Sequence, residues 1–151
     1  MAKPTDPGIF VQTDSVGAET ERLAAIMACL RDPETGCPWD IEQDFATIAP
    51  YTIEEAHEVA DAIERQAWGE LSGELGDLAL QVVFHAQMAA EAGHFSLLDV
   101  LRGINAKMIA RHPHVFGDES RVKSAAQQTE DWEKIKSAAR AAKAEPGAPD
   151  G

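Results

Sequence analysis

The segment from Leu75 to Met88 constrains this chain more than any other. Leu75, Leu78, Ala79, Leu80, Val82, Val83, Phe84, Ala86 and Met88 point in nearly every direction around a helical axis, the pattern of a helix enclosed on all sides. A chain of 151 residues offers four or five helices, too few to surround one of their own number. The pattern therefore predicts an all-α fold, a helical bundle of four to five helices completed by homo-oligomerisation as a dimer or tetramer. A monomer in which this helix is merely well covered is the alternative.

The other helices follow from the same periodicity. Leu23, Ile26, Met27 and Leu30 set a first helix over Glu19–Asp32, stopped by Pro33 and Gly36. Cys37 to Pro50 reads as a loop. A second helix opens at Thr52, with Glu55 completing a capping box, and runs to Gln66. The third spans Glu70–Ala92 and stops at Gly93. Ser96 with Asp99 opens a fourth, striped by Leu97, Leu101, Ile104 and Met108 and ended by Pro113. A fifth covers Thr129 to about Lys143. No segment alternates as a strand would. The boundaries predicted are a flexible N-terminus at 1–18, a domain at 19–137 and a disordered tail at 138–151.

Charge narrows the partners. Thirteen Lys and Arg against 26 Asp and Glu leave a formal net charge of -13. Such a surface repels nucleic acid and anionic membranes, so neither is an expected partner. A polyanionic substrate would need a cation to mediate its binding. Cys29 and Cys37 are too few for a disulfide framework and lack Cys-x-x-Cys spacing. With no signal peptide or membrane-spanning run, a cytoplasmic location is expected.

Acidic residues gather on two helices. On the second, Glu54, Glu58 and Asp61 share a narrow arc, with Glu55 about 60° from Glu58. On the third, Glu70, Glu74 and Asp77 share a face. Like charges at this spacing repel, and Arg65 is the one cation between Glu54 and Asp77. Asp77 adjoins the apolar stretch and reads as buried, and a buried carboxylate without a partner costs roughly several kcal/mol. Mg²⁺ would relieve it, with Mn²⁺ as a substitute, because the donors are oxygens. The alternative is a solvated acidic face.

Glu54-Glu55-Ala56-His57-Glu58 followed by Glu74-Leu75-Gly76-Asp77 resembles the Glu-Glu-x-x-Glu … Glu-x-x-Asp signature of MazG-type nucleotide pyrophosphohydrolases. Flanking blocks strengthen the likeness: Cys37-Pro38-Trp39-Asp40, Pro50-Tyr51, Gln81 to Gln87, Arg111 to Asp118 and Trp132 to Lys136. The resemblance covers about Glu19 to Lys136 and a single domain of this type, most like the first of a tandem pair in longer members.

It implies an all-α, dimeric or tetrameric, Mg²⁺-dependent hydrolase that releases pyrophosphate from nucleoside triphosphates. Glu55, Glu58, Glu74 and Asp77 match its metal ligands, and Glu54 a catalytic base or further ligand. Lys107 and Arg111 match phosphate contacts; from their positions alone they are surface cations at a helix C-terminus. Trp132 and Lys136 match residues near the nucleotide, and Trp39 and Phe45 are further candidates for stacking on a base. His112 and His114 read as turn-forming and hydrogen-bonded, and His85 as a satisfied core histidine. The expected reaction is broad, house-cleaning pyrophosphohydrolysis. Specificity for one nucleotide (dUTP, a modified dNTP or phosphoribosyl-ATP) and a non-catalytic nucleotide-binding module are the alternatives.

Overall fold

A computed structural model describes residues 7–143, all helix and turn with no strand among them. A 3₁₀ turn, Pro7–Phe10, precedes seven helices: α1 Val16–Leu30, α2 Pro38–Glu42, α3 Phe45–Glu64, α4 Trp68–Glu91, α5 Leu97–Arg111, α6 Pro113–Phe116 and α7 Ala125–Lys143. The chain divides into two compact units, Met1–Val100 and Leu101–Gly151, taken here one at a time.

In the N-terminal unit α3 and α4 pair along their length and α1 packs on α4. Met27 of α1 (0% exposed), Ile48 of α3 (1% exposed) and Val83, Phe84 and Met88 of α4 form the core, with Leu23, Leu30, Leu80 and Leu97 against it. α1 starts at Val16, ahead of the expected Glu19, because the Ser15 hydroxyl accepts a hydrogen bond from Ala18 N at 3.0 Å. The lead-in is not wholly without structure: besides the turn, Ile9 O accepts from Arg22 Nε at 2.8 Å. Met1–Asp6 lie outside the described residues.

α3 corrects the expected Thr52 start. The helix begins seven positions earlier, because Asp44 and Thr47 form the capping box: Asp44 accepts from Thr47 N at 2.9 Å and the Thr47 hydroxyl accepts from Asp44 N. Pro50 lies in the second turn, where it removes one backbone bond, and Ile48 anchors the turn before it in the core. The Cys37–Pro50 stretch is thus mostly helical, through α2 and the first turns of α3. Arg31 ties it down, its Nη1 donating to Asp40 O at 2.7 Å and Gln43 O at 2.8 Å while Nη2 reaches Glu91 at 2.7 Å.

The turn after α1 is built on Asp32, which is buried and accepts from Glu34 N and Thr35 N at 2.9 and 3.2 Å. These bonds hold its carboxyl below the ordinary range. Gly36 closes the turn, donating to Asp32 O at 2.9 Å. A Cβ there would meet the carbonyl oxygens of Leu30 and Asp32 well inside contact distance. Gly36→Ala therefore forces the backbone to move and should cost about 1–3 kcal/mol, read from urea unfolding. A loss below about half a kcal/mol would show that the turn yields freely.

α4 is not enclosed on all sides within this chain. Its buried residues (Gln81, Val83, Phe84, Ala86, Met88 and Ala89) all fall in the C-terminal half, while Leu75 and Val82 remain 48% and 45% exposed. Asp77 sits in the open half and is exposed, which corrects the expectation of a buried carboxylate. Its neighbours in sequence are apolar, but α1 covers only the other half of the helix.

In the C-terminal unit no residue of α6, α7 or the rest of α5 is buried. α7 starts at Ala125 because Ser124 caps it, Gln127 N donating to its hydroxyl at 3.1 Å. The helix takes in residues 138–143, which the sequence boundary left to the tail; 144–151 lie outside the described residues. Lys123 pairs with Asp131 at 2.7 Å, and the Trp132 ring lies under the Arg111 guanidinium and meets the His112 ring at a 45° tilt.

Candidate metal centre

The α3–α4 turn is tight. Ala67 N donates to Ala62 O at 2.9 Å, and Gln66 adopts φ 56°, the left-handed region that a tight reversal requires. Arg65 clamps the turn end of the hairpin, reaching Asp61 at 2.9 Å and Glu70 at 2.6 Å. Two of the acids singled out by spacing are therefore neutralised by the one local cation. The acids one and two turns further in form no ion pair among the described residues.

There the two helices bring Glu55, Glu74 and Asp77 together. One carboxylate oxygen from each lies within 4.8 Å of the others. Glu55 and Glu74 are half-buried and Asp77 is exposed. Burial raises the Glu55 carboxyl above its ordinary value, and the charges of Asp77, Glu74, Glu54 and Glu58 add to that. Glu74 is likewise raised, first by burial and then by Glu58 and Asp77, with Arg65 giving slight relief.

Two other acids act on the trio through their charge. Glu58 and Glu54 are exposed on α3 and outside the trio, although helical geometry puts Glu58 one turn beyond Glu55. The donor set is three carboxylates with no thiol or imidazole, which suits a hard divalent cation better than zinc. Its mutual repulsion is what such a cation would relieve.

The raised carboxyls set a pH dependence. Between the ordinary carboxylate value of 4.5 and neutrality the folded chain holds more protons than the unfolded one, so this cluster's contribution to stability falls as pH rises. Glu74→Gln should accordingly gain melting temperature relative to the wild type as pH goes from about 4.5 to 7 without metal. A constant difference across that range in thermal melts would show that the cluster carries no strain.

Along the same seam, one turn past Asp77, the Thr52 hydroxyl lies 3.1 Å from Gln81 Oε1 and 2.8 Å from His85 Nε2. Phe45 stacks on His85 with ring centroids 6.0 Å apart. Thr52, read from sequence as a cap, instead joins a polar network, and Gln81 was missed. The signal was present, since Gln81 continues the Glu74, Asp77 spacing.

The remaining candidates are placed as follows. Trp39 is 49% exposed and meets Tyr51 edge-on, centroids 5.9 Å apart. In the C-terminal unit Lys107 is exposed and Lys136 pairs with Glu133 at 3.3 Å. The Arg111 guanidinium lies 5.1 Å from the centre of the Trp132 ring, a cation–π contact, so a base stacking on that face would have to displace it. His112 Nδ1 lies 2.7 Å from Met108 O, as a turn-forming histidine should. His114 departs from the expectation, because its Nδ1 has no hydrogen-bond partner among the described residues.

A hairpin that gathers carboxylates from both arms defines an all-α protein with an acidic, oxygen-only candidate metal centre. Residues 43–116 match the MazG nucleotide pyrophosphohydrolase domain, and the chain is a MazG-domain protein. It is 54% identical over 132 residues to a nucleoside triphosphate pyrophosphohydrolase of Escherichia coli K12, covering 87% of this chain and 50% of that protein. To the nucleoside triphosphate pyrophosphohydrolase/pyrophosphatase MazG of Thermotoga maritima it is 48% identical over 116 residues, 77% of this chain and 43% of the relative. An uncharacterized Bacillus subtilis protein, YabN, is 41% identical over 120 residues, 80% of this chain and 24% of that protein. The chain spans half or less of the length of these relatives. Among the described residues no helix is long and apolar enough to cross a membrane.

Proposed function

We propose that this chain hydrolyses nucleoside triphosphates to the monophosphate and pyrophosphate, with Mg²⁺, or Mn²⁺ in its place, held by Glu55, Glu58, Glu74 and Asp77. The observation that carries the reading is the trio within 4.8 Å, with Glu55 and Glu74 raised in pKa and none of the three in an ion pair among the described residues, inside the matched domain. A bound Mg²⁺ would offset the repulsion between polyphosphate and acidic protein and acidify water in its shell.

The protein's own residues do the rest. The half-buried Glu55 and Glu74 fix where the positive charge sits, and Arg65 keeps Asp61 and Glu70 out of the ligand set. Glu54 is exposed beside the trio, where a carboxylate can take a proton from attacking water or serve as a further ligand. Lys107, Arg111 and Lys136 are the candidate phosphate contacts, the first two lying inside the matched domain and Lys136 supported by its charge. Trp132 and Trp39 are candidates for the base, where stacking would tolerate any ring and suit a broad, house-cleaning substrate range.

We also infer a homo-oligomer, dimer or tetramer. Its support is the exposed apolar side chains of α4, Leu75 and Val82, with Leu101 and Ile104 of α5 also exposed at helical spacing. Light scattering of the full chain tests it: a single monomeric mass at micromolar concentration would refute it.

Pyrophosphate release from mixed nucleoside triphosphates, with and without Mg²⁺, tests the activity. Wild type should be active with metal alone, and Glu58→Ala should fall by about tenfold or more. Equal release from the variant would remove Glu58 from the ligand set.

A further inference from the structure

Among the described residues Asp32 and Gln81 are the buried polar ones. Asp32 builds the turn after α1. Gln81, 8% exposed, has no such duty, and burying a carboxamide costs free energy that an apolar side chain would avoid. It follows Glu74 and Asp77 along one stripe of α4, seven and four residues on. Its partner Thr52 lies three residues before Glu55 on α3. The pair therefore sits one turn from the carboxylate trio on both helices.

Counting hydrogens fixes how the carboxamide is turned. The Thr52 hydroxyl has a single hydrogen to give. Three atoms lie within its reach: His85 Nε2 at 2.8 Å, Gln81 Oε1 at 3.1 Å and Ile48 O at 3.4 Å. The two carbonyl oxygens only accept, and the nearer, Gln81 Oε1, takes the hydrogen. His85 Nε2 must then carry a hydrogen of its own and donate it to the Thr52 oxygen. Phe45, parallel to the imidazole with centroids 6.0 Å apart, holds the ring plane. With Oε1 bound to Thr52, the Gln81 NH₂ is left over. Its nitrogen forms no hydrogen bond among the described residues, and it is not one of the buried atoms lacking a partner, so solvent reaches it.

The neighbouring groups are short of such a donor. Ionised Glu55, Glu74 and Asp77 only accept, as do Glu54 and Glu58, and the oxygens of a phosphate are acceptors too. Arg65 is engaged by Asp61 and Glu70. A neutral N–H can bond a phosphate oxygen without competing with a cation for the carboxylates, as a Lys would. We propose that the Gln81 carboxamide, turned by Thr52 and His85, donates an N–H to a phosphate oxygen bound at the carboxylate centre. Gln81 is then a substrate-binding residue, and Thr52 and His85 are positioning residues. The choice of a phosphate rests on the pyrophosphohydrolase reading.

NMR of the full chain tests the arrangement without turnover. His85 Nε2 should carry a hydrogen; a ring with Nε2 bare would turn the carboxamide around and overturn the proposal. The Gln81 NH₂ signals should shift when pyrophosphate is added in the presence of Mg²⁺. No shift, or a shift complete with Mg²⁺ alone, overturns it as well. In pyrophosphate release from nucleoside triphosphates, Gln81→Met should lower kcat/KM by about tenfold or more at an unchanged melting temperature. Thr52→Val should lower it by about threefold or more, and Thr52→Ser, which restores the hydroxyl, should recover most of that loss. A folded Gln81→Met with wild-type kcat/KM contradicts the proposal; should that variant not fold, Thr52→Val and the wild-type spectra decide. A wild type that releases no pyrophosphate sinks the hydrolase reading, while the response of the Gln81 NH₂ to pyrophosphate still decides this contact.

Discussion

Glu74→Gln should lower Mg²⁺-dependent pyrophosphate release by about 10²-fold or more while the protein stays folded. The side chain is nearly isosteric, so packing against α3 is kept and only the charge is lost. Glu74 is half-buried between Glu55 and Asp77, and Glu58 and Asp77 both repel its carboxylate, as they do that of Glu55. Removing it relieves the metal-free protein and weakens the grip on a divalent cation, so the signature is opposite signs in two assays. Activity collapses, and the metal-free melting temperature at neutral pH holds or rises. A variant that loses both activity and stability would mean that Glu74 is structural.

Met27→Ala should have the largest effect on the fold, about 2–5 kcal/mol of unfolding free energy. Met27 has no exposed surface and joins Ile48 of α3 to Val83, Phe84 and Met88 of α4. It is the fully buried residue of α1 in the contact with the hairpin, flanked by Leu23 and Leu30. Typical single domains have only about 5–15 kcal/mol of stability, so the variant would approach its unfolding threshold at moderate temperature. Chemical denaturation measures the loss. A change under about 1 kcal/mol would show that α1 contributes little to the α3–α4 pair.

How much of this was legible in the residues depended on the range of the interaction involved. The five longer helices, the Ser96–Asp99 start of α5 and the Gly93 stop of α4 are local and readable from spacing, whereas the short α2 falls in the stretch expected to be a loop and α6 follows the expected stop at Pro113. The start of α3 was misread because Pro50 looked like a boundary, whereas Asp44 and Thr47 cap the helix ahead of it. The carboxylates were legible as residues, but which of them meet was not. That depends on how two helices roll against each other, and the pairing selects Glu55 with Glu74 and Asp77. It assigns Asp61 and Glu70 to Arg65. The exposure of Asp77 was unreadable for the same reason, since it follows from where α1 stops covering α4. That His114 Nδ1 finds no hydrogen-bond partner among the described residues has no signature in the sequence.

Mn²⁺ binding, followed by electron paramagnetic resonance on the wild type and on Glu74→Gln without nucleotide, tests most directly whether the carboxylates of α3 and α4 form one cation site. The wild type should take up Mn²⁺ in competition with Mg²⁺, and the variant should bind at least about tenfold more weakly. Equal Mn²⁺ affinity in the two proteins would contradict the account, because the ion would then be held somewhere other than between Glu55, Glu74 and Asp77.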